Sequence, residues 1–175
     1  MAYIPLDESI PGIRSLLAYF PAIEPAMKGL MQTMMRQDRG LNKGERELIA
    51  AWVSHHNHCT ACENIHGAVA SHLLGWDEAD YARMIKEKAG ASPRLEALLA
   101  LARQVTCNGK KVTPEQIAKA KALGCTDQEI HDTILIASMF CMFNRYIDGL
   151  GLTSRDTPES LKTRAQHLAE YGYGT

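Results

Sequence analysis

The stretch E-L-I-A-A-W-V-S-H-H-N-H-C-T-A-C-E-N-I-H, Glu47 to His66, gathers two thiols, four imidazoles and, at its head, a carboxylate within twenty residues. Cys59, Cys62 and His66 stand at i, i+3 and i+7, so a helix beginning near Cys59 lines them along one face, with His66 one turn beyond Cys62. The position of Glu47 decides the local fold. Were the stretch one straight helix, a rise of ~1.5 Å per residue would hold Glu47 and His66 roughly 30 Å apart. Asn57, a good cap residue, lies ten residues after Glu47 and nine before His66. A break there folds the chain into a helical hairpin, with carboxylate and imidazole at the same level and within hydrogen-bond reach. Glu47 then orients His66 and favours its protonated form. The same hairpin sets Cys59 and Cys62 at the start of its second helix, at the mouth of an apolar pocket.

A C-x-x-C pair can close a small disulfide ring, and a cysteine at a helix N-terminus feels the partial positive charge of unpaired amides, which lowers its thiolate pKa. A base one turn away is the arrangement that activates cysteine nucleophiles. The residues alone leave open which thiol attacks, because Cys62 has His66 beside it while Cys59 is nearer the helix end. A zinc site competes with this reading, its ligands being Cys59, Cys62, His66 and either Glu47 or one of His55, His56 and His58. The chain would then be a non-catalytic zinc-stabilised helical module or an oligomeric binding protein. Zinc ligands, however, commonly come as two pairs separated by a loop, whereas here every candidate crowds one hairpin. His55, His56 and His58 otherwise read as solvated, and a purely structural role for the two thiols is the remaining alternative.

The rest of the chain reads as helices around this hairpin. Asn42, with Glu45 three residues on, signals the N-cap of its first helix, and Gly75 stops its second after Leu74. Upstream, Pro5, Pro11, Gly12 and Pro21 punctuate a short helix, Ile13 to Phe20, and a methionine-rich one from Ala22 to Gln37. Met27, Met31, Met34 and Met35 recur there at helical spacing, which predicts adaptable core or subunit contact. Downstream, Asp77 caps a helix to Lys88, Ser92-Pro93 opens one to Thr106, and Thr113-Pro114-Glu115-Gln116 opens another that Gly124 closes. Thr126-Asp127-Gln128-Glu129 starts the helix holding Ile134 to Phe143, a run apolar on every side that predicts the central core helix. Thr157-Pro158 starts a final helix to Tyr171. No stretch sustains period-two alternation, so the class is all-α: a single-domain multi-helix bundle over residues 1–175 with C-x-x-C on its central hairpin.

Composition narrows the function. Of 175 residues 46% are apolar, enough for one core, and 19 basic against 20 acidic side chains give a net charge of −1. Without a basic run the chain lacks the field that nucleic acid or an anionic membrane requires, which points to a small-molecule or protein partner. No apolar run nears the ~18 residues of a membrane span and the N-terminus has no signal-like pattern, so the expected location is cytoplasmic. Cys107, Cys125 and Cys141 are scattered singly and read as buried free thiols, not as a disulfide framework.

Glu47, Cys59, Cys62 and His66 match position for position the pattern Glu, eleven residues, C-x-x-C, three residues, His. On it, and on the surrounding R-E-L-I-A-A-W-V-S-H-H-N-H-C, the chain resembles the AhpD-like alkylhydroperoxidases and peroxidase-related proteins of the carboxymuconolactone decarboxylase superfamily. The specific likeness runs from Leu41 to Gly75. The resemblance implies that Cys62 attacks a hydroperoxide and passes through a sulfenic acid, that Cys59 resolves it as a disulfide, and that Glu47 and His66 relay protons. It implies a dithiol or thiol-protein reductant, no bound metal or organic cofactor, and a homo-oligomer, trimer or hexamer. One position departs: Ala61 stands where the best-known members carry a histidine, for which His58 is the candidate replacement. The superfamily's decarboxylases act on a lactone without needing C-x-x-C, so the thiol pair argues against that branch.

Overall fold

The computed structural model describes residues 2–7, 9–10, 12–37, 39–153 and 156–174. Pro11, one of the punctuating prolines, lies outside the described residues. Among these residues the regular structure is helical: α1 (Ile13–Tyr19), α2 (Glu24–Met35), α3 (Lys43–His56), α4 (Thr60–Leu74), α5 (Glu78–Glu87), α6 (Pro93–Cys107), α7 (Pro114–Ala122), α8 (Asp127–Gly149) and α9 (Pro158–Tyr171). No described helix is long and apolar enough to cross a membrane.

Capping chemistry sets these boundaries. Asn42, Asp77, Thr113 and Thr126 each accept from the backbone amide three residues on, and the residue there returns a side-chain acceptor, so two otherwise orphaned amides are satisfied at each helix start. Gly75 closes α4 at φ 70°, a left-handed conformation that a side chain resists.

The α3–α4 hairpin is the most extensive helix pairing in the fold, with α6 and α8 on the other sides of α3 and α9 against α4. This overturns one expectation. The central helix is α3, buried continuously from Gly44 to Ser54, whereas α8 leaves His131, Leu135, Ser138, Met142 and Arg145 open along one stripe. Leu135 is 37% and Met142 47% exposed, so the run from Ile134 to Phe143 is not enclosed on every side. Helix α3 reads as less central because its buried face includes charge. Arg46, fully buried, donates to the carbonyls of Met34 (2.9 Å), Leu41 (3.1 Å) and Arg39 (2.7 Å) and to Asp132 Oδ2 (2.8 Å) on α8. Its charge is thereby spread over four acceptors, which makes so buried a guanidinium tolerable.

The break near Asn57 is present. The Asn57 amide donates back to Val53 O and the Cys59 amide to Ser54 O, both at 2.9 Å, while His58 crosses to φ 61°. A buried amide relay anchors the turn: Asn57 Nδ2 donates to Asn144 Oδ1 (2.9 Å), and Asn144 Nδ2 donates to Ser54 Oγ (3.1 Å). His55 Nδ1 meets Glu63 Oε1 at 3.0 Å across the hairpin.

Of the three scattered thiols expected to be buried, only Cys125 is, Cys107 being exposed and Cys141 half-buried, and of the three turn histidines expected to be solvated, only His58 is exposed. His56 is half-buried, packs edge-on against Trp52 at 4.5 Å, and holds Nε2 without a hydrogen-bond partner. Burial first, then the charges of Arg103, His55, Lys88 and His58, push its pKa from 6.5 down to about 4. The folded state thus prefers neutral His56, so its contribution to stability is complete above pH 6.5 and is lost as pH falls towards about 4. Urea melts should show His56→Phe with a shallower loss of stability between pH 6.5 and 4 than the parent; equal slopes would mean His56 titrates normally.

Candidate active site

Helix α3 supplies Glu47, and α4 supplies Cys62 and His66 one turn apart. Glu47 is fully buried, His66 and Cys62 nearly so, and His66 Nδ1 stands 2.7 Å from Glu47 Oε2. The relay geometry expected of the hairpin is therefore formed by a direct contact. With Nδ1 facing a carboxylate, it is the donor nitrogen, and Nε2 is left as the basic one.

Two residues that sequence reasoning missed complete this contact. Arg36, just past α2, donates from Nη1 to Glu47 Oε1 at 2.7 Å. Tyr173, two residues past α9, donates from its hydroxyl to the same oxygen at 2.7 Å, and the hydroxyl lies 3.2 Å from His66 Nδ1. Nothing local marks either: they are 11 and 126 residues from Glu47 and sit in no motif. Burial alone would raise the Glu47 pKa, but the hydrogen-bonded contact with His66, the charge of Arg36 and the hydrogen bond from Tyr173 outweigh it and hold the carboxyl below its ordinary value. Burial, then the Glu47 charge, pushes the Tyr173 phenol well above its usual range, so it stays a donor.

The two thiols are free and differ sharply in environment. Cys59 is the N-cap of α4 and fully buried. The helix-end argument would lower its pKa; instead a hydrogen bond with Cys62, then burial, then the Cys62 charge drive it far upward.

Cys62 and His66 open onto a cavity of about 420 Å³. Its inner wall is apolar, with Leu17, Phe140, Phe143 and Ile147, and its outer rim carries Arg14, Lys28, Asp156, Arg164 and His167. The Phe140 ring meets the His66 ring edge-on at 4.5 Å. Met27 and Met31 line this cavity too, while Met34 and Met35 are core, so the methionine stripe divides between two roles. Ala61 borders the cavity, and His58 remains out in the turn. Among the described residues no three His, Cys, Asp or Glu side chains are grouped to hold a metal ion. Both Glu47 oxygens are taken by the three donors above.

A helical framework of this kind is shared with known proteins. Residues 21–104 match the family model described as the carboxymuconolactone decarboxylase family. A peroxidase-related protein from Ralstonia eutropha JMP134, described as an alkylhydroperoxidase AhpD core, superposes with a TM-score of 0.79 at 26% identity, over 90% of this chain and 82% of its own. A peroxidase-related protein from Silicibacter sp. TM1040 superposes with a TM-score of 0.73 at 21% identity, over 91% of this chain and 94% of its own. Comparison with curated proteins returns no match. The fold is that of the AhpD-like helical proteins. Taken with the family match over residues 21–104, it makes the chain similar to the AhpD-like proteins of the carboxymuconolactone decarboxylase superfamily.

Proposed function

We propose that the protein is a thiol-dependent peroxidase that reduces organic hydroperoxides through Cys62 and Cys59. The observation that carries this reading is the His66 Nδ1–Glu47 contact at 2.7 Å, made one turn from a thiol on the same apolar cavity. His66 Nε2 takes the Cys62 proton, and the thiolate attacks the outer peroxide oxygen. The O–O bond breaks, the leaving alkoxide takes the proton back from His66 and departs as an alcohol, and Cys62 is left as a sulfenic acid. The Cys59 sulfur then attacks the Cys62 sulfur, the S–S bond forms, and hydroxide leaves with the Cys59 proton as water. A dithiol reductant supplies two electrons and two protons to reopen the bridge, itself becoming a disulfide. The apolar wall favours hydroperoxides with a hydrocarbon body over hydrogen peroxide.

One equivalent of cumene hydroperoxide should therefore remove two titratable thiols, restored by dithiothreitol, and peptide mapping should place the bridge between Cys59 and Cys62. A bridge at Cys107, Cys125 or Cys141, or thiols that survive the peroxide, would sink the proposal.

A further inference from the structure

We infer that Arg36 and Tyr173 are positioning residues that set the protonation state of His66, holding Glu47 as a charge-balanced carboxylate so that His66 rests as a neutral base. This deepens the peroxidase reading and rests on it for its functional meaning. The physical claim about His66 stands on the contacts themselves.

A carboxylate buried as completely as Glu47 needs a positive partner, and two are in contact with it. If His66 were the only one, the proton would settle on the imidazole to make an ion pair, and an imidazolium cannot accept a proton from Cys62. Arg36 removes that need. Its guanidinium does not deprotonate, and it is fixed by donations to Met35 O and Leu168 O, both at 2.8 Å, over the Tyr173 ring at 4.7 Å. With the Arg36–Glu47 pair summing to zero, a second positive charge on His66 gains much less. Tyr173 adds a neutral donor to Glu47 Oε1 and leaves Oε2 to the imidazole.

The tail that brings Tyr173 here is itself fitted. The Tyr173 amide donates to Gln32 Oε1 at 2.6 Å, and Gly172 sits at φ 78°, where a Cβ would meet Gln32. The remaining groups around His66 do not replace Arg36. From α4 there is Cys62 and from α8 the Phe140 ring, while Arg14 of α1, Lys28 of α2, Asp156, and Arg164 and His167 of α9 stand on the rim of the shared cavity. Of these, Arg164 is held by Asp156 at 2.5 Å and Lys28 by Glu24 at 3.0 Å.

The test is ¹⁵N NMR titration of the His66 imidazole in the reduced protein, which needs no turnover and so separates this inference from the peroxidase reading. The parent should show Nδ1 protonated and Nε2 bare at neutral pH. Arg36→Met should raise the His66 midpoint by about 1–3 pH units, the scale for a charge at this range. Tyr173→Phe, which keeps the ring, should raise it by less than about 1 unit, since Glu47 then has one donor fewer. Arg36→Lys, which keeps the charge, should restore the parent midpoint. The acid limb of the peroxide rate should move up with the midpoint, its high-pH plateau remaining. A parent His66 already protonated on both nitrogens at neutral pH would overturn the inference, as would an unmoved or lowered midpoint in Tyr173→Phe and Arg36→Met. Should Arg36→Met fail to fold, Tyr173→Phe alone decides.

Discussion

Cys62→Ser is expected to lower peroxide turnover by at least about 10³-fold, because Cys62 is the one thiol among the described residues that line the cavity. Serine keeps the shape, but its oxygen cannot be oxidised by the peroxide to a counterpart of the sulfenic acid. Cys59 does not take over, being fully buried and not among the residues that line the cavity. Cys59→Ser should behave differently: one equivalent of peroxide is consumed, the sulfenic acid persists, and the reaction stops there. His66→Ala should still turn over, but ~10²- to 10⁴-fold more slowly, as a general base is removed. Stopped-flow reduction of cumene hydroperoxide, with a sulfenic-acid trap, separates the three. Turnover retained in Cys62→Ser would assign the chemistry elsewhere, and a Cys59→Ser variant that never consumes the first equivalent would reverse the order of the thiols.

Arg46→Met should be the most damaging single change to stability, at about 3–5 kcal/mol. Its volume is kept, but three carbonyls and Asp132 Oδ2 lose the donor that Arg46 supplies, while Gln128 (2.6 Å) and His131 (2.9 Å) stay on Asp132 Oδ1. Arg39, 3.9 Å from Asp132 and half-exposed, is too distant to replace the contact. Against a total of ~5–15 kcal/mol for a domain, a loss of this size is a large share. Urea denaturation followed by circular dichroism gives the number. A shift under about 1 kcal/mol would mean the site repacks around methionine, as some buried ion pairs do when replaced by apolar groups.

Much of the frame was legible because its signals are local. A capping box spans four residues, so the starts of α3, α7 and α8 at Asn42, Thr113 and Thr126 can be read without knowing what they pack against. The hairpin was legible for a different reason: Glu47 and His66 can meet only if the chain turns back, and Asn57 is the residue suited to turn it. What failed was anything set by tertiary packing. Counting apolar residues favoured α8 as the centre, yet α3 holds that place, since Arg46 and Glu47 carry their own partners into the core. The fall in the Cys59 pKa expected from its place at the helix end was reversed by burial and by the neighbouring thiol. Arg36 and Tyr173 had no signal at all, because Arg36 reaches Glu47 from another helix end and Tyr173 does so across 126 residues, and neither contact leaves a trace in spacing.

The hairpin joins segments separated by a three-residue turn, and its contacts can form on the microsecond scale once both helices exist. Tyr173 is synthesised 107 residues after His66, which at ribosomal rates of ~5–20 residues per second is a lag of roughly 5–20 s. For that interval a nascent chain can hold Glu47 against His66, beside two thiols, with Arg36 available and the tyrosine still to come. The growing polypeptide thus holds an incomplete set of donors around Glu47, and the set closes only once Tyr173 has been made and packed.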